Sequence, residues 1–196
     1  MFTPTRQIIR TFIAVEIPDG IKAAMRDIQS DLRKSGADVG WARPEGVHLT
    51  LKFLGDVEAD AIPRLAAELG VALSGMRPFT LSVGGTGVFP TPKSPRVVWL
   101  GLGGDMDALG AAQKAVEAVC GGFGFKPEDR PFRPHLTLGR VKSAKGRDAL
   151  IKALALHENA ELGTFTAGSV SVMKSELKPS GAVYTEMHKI NLPKEI

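Results

Sequence analysis

The tetrapeptide His48-Leu49-Thr50-Leu51 recurs unchanged at His135-Leu136-Thr137-Leu138, in a chain that holds only four histidines. A given histidine is followed by Leu-Thr-Leu by accident with a chance on the order of one in a thousand, so coincidence is a weak account of the pair. Apolar and polar residues alternate in both copies. On an extended strand this places His and Thr side by side on one face and both leucines on the other. Each copy therefore predicts a half-buried strand whose leucines enter a core while His and Thr face something else.

Hydrophobic spacing fills in the elements around the two copies. A first strand is expected over residues 8–17, with Phe12 and Ala14 on one face, which Ile8 and Arg10 can share. A helix follows over Asp19–Arg33, where Ile21, Met25, Ile28 and Leu32 recur near helical spacing and Asp19 can sit at the amino-terminal end. Gly36 and Gly40 break that pattern, and Arg43-Pro44-Glu45-Gly46 turns the chain into a strand over 47–53 that bears the first copy. Residues 56–75 form a second helical region with Ile62, Leu65, Ala66, Leu69 and Leu73 as its stripe. Strands at 79–83 and from 97 to 100 are joined by a stiff Gly- and Pro-rich connection, and a third helix covers 106–119. The second copy lies on a strand over 132–141, a short helix covers 147–156, and two strands fill 163–173 and 182–192.

This order predicts an α+β fold, with helices covering one face of mostly antiparallel sheets. A length of 196 residues and 43% hydrophobic content suit one domain over residues 1–196, built of two closely joined lobes. Helix-strand alternation recurs around both copies. The expectation is a pseudo-twofold pair of lobes, each giving one His-x-Thr to a cleft between them.

Composition excludes several function classes. Cys120 is the only cysteine, so a disulfide framework and a Cys-rich metal site are both ruled out; a buried, inert thiol in a reducing compartment is expected. Residues 1–10 lack the apolar stretch of a signal peptide and no later run could span a bilayer, which points to a cytoplasmic chain without a membrane partner. A net charge of +4 favours anionic partners but is too small to establish nucleic-acid binding. The cluster Gly84-Gly85-Thr86-Gly87 lacks the Lys-Ser/Thr of a phosphate loop and no helix follows it. Two histidines need a third protein ligand, neither copy is HxH or HExxH, and the only cysteine follows a helix, so no metal or other cofactor is expected.

Two imidazoles across a cleft suit phosphoryl transfer. Histidine titrates near neutrality, so one ring can take a proton from attacking water while the other gives one to the departing oxygen. The hydroxyls of Thr50 and Thr137 can donate to non-bridging phosphate oxygens. The same residues could instead be strand-edge histidines beside threonines chosen for β propensity. Strand parity turns Arg140 to the face opposite His135, so it reaches the cleft only if the strand twists or ends near Gly139. Arg130 and Arg133 fit phosphate contact as well as solvation or pairing with Glu128 or Asp129. Parity puts Lys52 on the face of His48 and Thr50, for cleft charge or plain solvation.

The segments His48-Leu49-Thr50-Leu51-Lys52-Phe53-Leu54-Gly55 and Arg133-Pro134-His135-Leu136-Thr137-Leu138-Gly139-Arg140 resemble the two signature strands of the 2H phosphoesterase superfamily, specifically its RNA 2',3'-cyclic phosphodiesterase members, also called 2'-5' RNA ligases. The similarity extends to Phe12-Ile13-Ala14-Val15, Trp41 with Pro44-Glu45, Gly87-Val88-Phe89-Pro90, Arg96-Val97-Val98-Trp99, Ser175-Glu176-Leu177 and Gly181-Ala182-Val183-Tyr184. The resemblance implies a bilobal fold around a V-shaped cleft and an enzyme acting on RNA ends that bear a 2',3'-cyclic phosphate; no obligate protein partner is evident in the sequence, so a monomer is the expectation, although the sequence itself does not give the oligomeric state. It implies hydrolysis to a 2'-phosphate, with 2'-5' joining of RNA ends as the reverse reaction. It further implies His48 as proton donor, His135 as proton acceptor, and Thr50, Thr137 and Arg140 as phosphate-binding residues. An RNA-binding module without turnover, or a phosphodiesterase for a different cyclic phosphate, would share the cleft. Intact His and Thr in both copies weigh against the first, and substrate comparison separates the second.

Overall fold

The computed structural model describes residues 7–179 and 181–193. The reading of the amino-terminal ten residues therefore rests partly on positions outside the described ones. Nine strands and four helices follow in the order β1 (Ile8–Glu16), α1 (Asp19–Arg33), β2 (Val39–Trp41), β3 (His48–Glu58), α2 (Ile62–Leu73), β4 (Phe79–Thr91), β5 (Ser94–Gly104), α3 (Met106–Gly122), β6 (Leu136–Val141), α4 (Arg147–Ala155), β7 (Glu161–Ala167), β8 (Ser169–Lys178) and β9 (Gly181–Asn191). They form two antiparallel sheets, one ordered β3-β1-β8-β9 and the other β2-β6-β5-β4-β7. This is the α+β, two-sheet architecture that the element order predicts.

The repeated leucines anchor the two motif strands. Leu49, Leu51, Leu136 and Leu138 are all buried in one core cluster that runs through both sheets and the four helices. Each contributes roughly 2 kcal/mol by leaving water, and a one-residue slip would carry all of them to the wrong face. Two helices cross between the sheets: α1 follows β1 of the first sheet but packs on β7 of the second, and α3 follows β5 of the second sheet but packs on β3 of the first. The buried stripe of α1 is Ile21, Met25, Gln29 and Leu32; Ile28, expected in it, is only half-buried. No helix among the described residues is long and apolar enough to cross a membrane.

Four expectations need correction. The stiff connection after residue 83 is a long hairpin, β4 pairing with β5 as far as Thr91 opposite Ser94. Its glycines are demanded by close approach and not by looping: a Cβ on Gly87 would run into the Trp99 indole, and Gly85 holds φ +61° at a register shift. Residues 163–173 belong to two strands, because at Gly168 the chain leaves β7 in the second sheet for β8 in the first. The break at Gly36 and Gly40 contains the short strand β2, which pairs with β6. Finally β3 continues to Glu58, so its helix begins only at Ile62, while β6 begins at Leu136 and leaves His135 just ahead of it.

Candidate active site

Both histidine strands carry a β-bulge at the same place. In β3, Thr50 pairs with Ala14 and Lys52 with Ile13 of β1, leaving Leu51 as the extra residue. In β6, Thr137 pairs with Trp99 and Gly139 with Val98 of β5, leaving Leu138 as the extra residue. A bulge reverses the alternation beyond it. Three residues past each threonine, Phe53 and Arg140 therefore turn to the same side as Thr50 and Thr137, and all four line one cavity. This settles the parity objection to Arg140 and overturns the placement of Lys52. The Lys52 ammonium is buried on the core side, 2.7 Å from a carboxylate oxygen of Glu117 in α3, and it donates to the Lys126 carbonyl at 2.9 Å.

The cavity opens between the two sheets and measures about 520 Å³, within the range of small-ligand sites. Arg10 and Phe53 come from β1 and β3, Trp41 and Arg140 from β2 and β6, and Tyr184 from β9. Among the described residues that line it, the ionised side chains are Arg10, Arg43 and Arg140, and none is acidic. Arg10 lies 4.9 Å over the exposed Phe53 ring, and Arg33 lies 5.3 Å over Trp41. The result is a positive cleft floored by aromatic faces, a surface suited to phosphate and to flat rings. Among the described residues neither threonine hydroxyl is engaged in a hydrogen bond and Arg140 has no ion-pair partner, so these groups are available to a ligand.

His48 sits in an aromatic pincer. Its ring stacks on Phe12 at 4.8 Å and meets the edge of Tyr184 at 4.6 Å. Burial among these rings, with the Lys22 ammonium as a smaller cause, pushes its pKa down to about 4. In the free protein His48 is therefore neutral at pH 7. His135 stands just ahead of β6, its Nδ1 donating to the Arg133 carbonyl at 2.7 Å and its ring against the edge of Phe89 at 5.1 Å. A carbonyl can only accept, so Nδ1 carries the proton and Nε2 is left with a free lone pair in the neutral ring.

The structure thus gathers His48, Thr50, Thr137 and Arg140 around the cavity, while His135 is two residues before Thr137 and is not itself part of the wall. Arg130 and Arg133 are exposed and make no ion pair among the described residues, which leaves solvation as their setting. Cys120 is buried, and burial raises its thiol pKa to about 11, as expected of an inert core cysteine. Residue spacing alone did not reveal Tyr184, which reaches His48 only through sheet pairing. Gln29 was also missed, although it lies one helical turn beyond Met25. No three His, Cys, Asp or Glu side chains among the described residues converge as a metal site.

Comparison with known proteins places the chain in a family. The family model of the 2'-5' RNA ligase superfamily matches residues 17–179. The chain is 38% identical to the RNA 2',3'-cyclic phosphodiesterase of Methanothermobacter thermautotrophicus over 94% of its own length and 99% of that protein. It is 34% identical to the enzyme of the same name from Aeropyrum pernix, over 87% and 94% of the two chains. Its fold is similar to the crystal structure of TT0787 from Thermus thermophilus, with a TM-score of 0.78 at 28% identity over 94% of this chain and 98% of the other.

Proposed function

This chain belongs to the 2'-5' RNA ligase superfamily, in the RNA 2',3'-cyclic phosphodiesterase family of 2H phosphoesterases, and from that premise we propose that it hydrolyses terminal 2',3'-cyclic phosphates of RNA to 2'-phosphates. The observation that carries the reading is the acid-free, arginine-lined cleft whose wall holds His48, Thr50, Thr137 and Arg140, with a matching bulge after each threonine and His135 two residues before Thr137.

In the proposed reaction a water oxygen attacks phosphorus, the bond from phosphorus to O3' breaks, and the bond to O2' remains. His135 accepts the proton of the water through Nε2, the nitrogen left free by its bond to Arg133. His48 delivers a proton to O3', leaving a 3'-hydroxyl and a 2'-phosphate. Because the ring is neutral in the free protein, it must take up that proton when the substrate arrives. An anionic phosphate brought within a few ångströms favours the charged imidazole and supplies the reason for the uptake. Thr50 and Thr137 donate to the non-bridging oxygens, and Arg140 offers a planar pair of donors to the same group. The exposed Phe53 and the half-buried Trp41, both in the cleft wall, offer unpaired bases aromatic surface to stack on. With an RNA 5'-hydroxyl in place of water the same steps join two ends through a 2'-5' bond. Both motifs come from one chain, so the reaction needs no second subunit.

The test is turnover of an oligoribonucleotide ending in a 2',3'-cyclic phosphate. His48→Ala and His135→Ala should each lower kcat by roughly 10²–10⁴-fold, the range of positioned acid-base groups, with the fold intact by circular dichroism. Absence of turnover by the parent protein would remove the reading. Near-normal turnover by either variant, where chemistry limits the rate, would remove the two-histidine mechanism.

A further inference from the structure

We propose that Gln29 is a positioning residue for this cleft: its buried side-chain amide fixes the bulge at Leu138 and thereby aims Arg140 at the substrate phosphate. The inference rests on the phosphodiesterase reading and deepens it. Gln29 occupies the apolar stripe of α1 between Met25 and Leu32 and is 3% exposed. Its Nε2 donates to the Leu138 carbonyl at 2.8 Å and to the Ala42 carbonyl at 2.9 Å. Both partners can only accept, which fixes the amide with its NH₂ group toward them.

Leu138 is the residue that the bulge leaves unmatched against β5, and a buried carbonyl must find a donor. The Ala42 N–H supplies one at 2.9 Å and Gln29 supplies the other. The two bonds from Gln29 also tie together two neighbouring backbones of one cleft wall, since Trp41 and Arg43 flank Ala42 while Thr137 and Gly139 flank Leu138. Parity explains the consequence. With the bulge in place Arg140 shares the face of Thr137; in a regular strand it would turn to the leucine side. A polar side chain at a core position of a helix costs free energy unless its donors are used. Here both are spent on the geometry of the site.

The test is a double-mutant cycle with Gln29→Met, which keeps the volume and removes both donors, and Arg140→Ala, read as kcat/KM on cyclic-phosphate-ended RNA. Gln29→Met alone should lower kcat/KM roughly 10- to 100-fold, as a misaligned contact does. In the Arg140→Ala background the same change should cost less than about threefold, because residues acting through one another are not additive. Equal losses in both backgrounds would make Gln29 an ordinary structural residue and overturn the proposal. A crystal structure of the Gln29→Met variant reads the same point without substrate: Arg140 should leave the cleft, and an unchanged bulge with Arg140 in place would refute the proposal whether or not the enzyme acts on cyclic phosphates. In the unaltered protein the Gln29 side-chain amide protons should be strongly protected from solvent exchange. Free exchange would contradict the contact without any variant having to fold.

Discussion

Protonating His48 should weaken the fold over a defined pH window. The ring ordinarily titrates near 6.5, and in the folded protein burial against Phe12 and Tyr184, aided by the Lys22 charge, lowers this to about 4. Between those values the unfolded chain binds a proton that the folded chain does not. The stability contributed by this group is therefore fully present above pH 6.5 and is lost as pH falls toward 4. At ~1.4 kcal/mol per pH unit, the difference amounts to about 3 kcal/mol at pH 4 and about 2 kcal/mol at pH 5. The ring borders the open cleft, so solvent screening trims the pH 5 figure to about 1–2 kcal/mol. Urea unfolding of the parent protein and of a His48→Asn variant at pH 7.5 and pH 5.0 isolates the effect, since other titrations cancel in the difference. The parent should lose about 1–2 kcal/mol more than the variant on acidification. Parallel losses, or a His48 NMR titration near 6.5, would refute the argument. Saturation with a nucleoside 2'-monophosphate should move the His48 titration upward, as its proposed donor role requires.

Arg140→Ala should lower kcat/KM by roughly 10- to 100-fold, from the ~1.5–3 kcal/mol of a hydrogen bond to a charged group, and Arg140→Lys should recover only part because an ammonium lacks the bidentate fork. Unaltered kcat/KM in the alanine variant would remove Arg140 from the site. Exhaustive treatment with chelator should leave turnover unchanged, since imidazoles move the protons and hydroxyls and a guanidinium meet the phosphate. Loss of activity that a divalent ion restores, with stoichiometric metal in the purified protein, would overturn the mechanism.

The cleft residues were unequally legible in the sequence, for reasons of geometry. Leu49, Leu51, Leu136 and Leu138 declare themselves by their period of two, and the faces of His48, Thr50 and Thr137 follow from the same alternation. The alternation fails at the first irregular rung. Nothing local marks the bulges at Leu51 and Leu138, so strict parity sends Lys52 into the cleft and Arg140 out of it, the reverse of what the fold does. The hairpin β4–β5 was hidden because Gly84, Gly85, Gly87 and Pro90 read as breakers until the Trp99 ring over Gly87 shows why a side chain is not admitted there. The crossing at Gly168 depends on which sheet each half joins, a long-range choice that composition does not encode. Gln29 had a signal, its place four residues after Met25, but a polar residue on a helix is read as solvent-facing unless the partners of its amide are known.

Product identification in ¹⁸O-labelled water tests the central claim most directly. A short RNA bearing a 2',3'-cyclic phosphate is incubated with the protein, and the end is read by mass spectrometry and by resistance to enzymes that require a 3'-phosphate. The account predicts a 2'-phosphate alone, with a single solvent oxygen bound to phosphorus. Formation of a 3'-phosphate, or no conversion of the cyclic end, would contradict it.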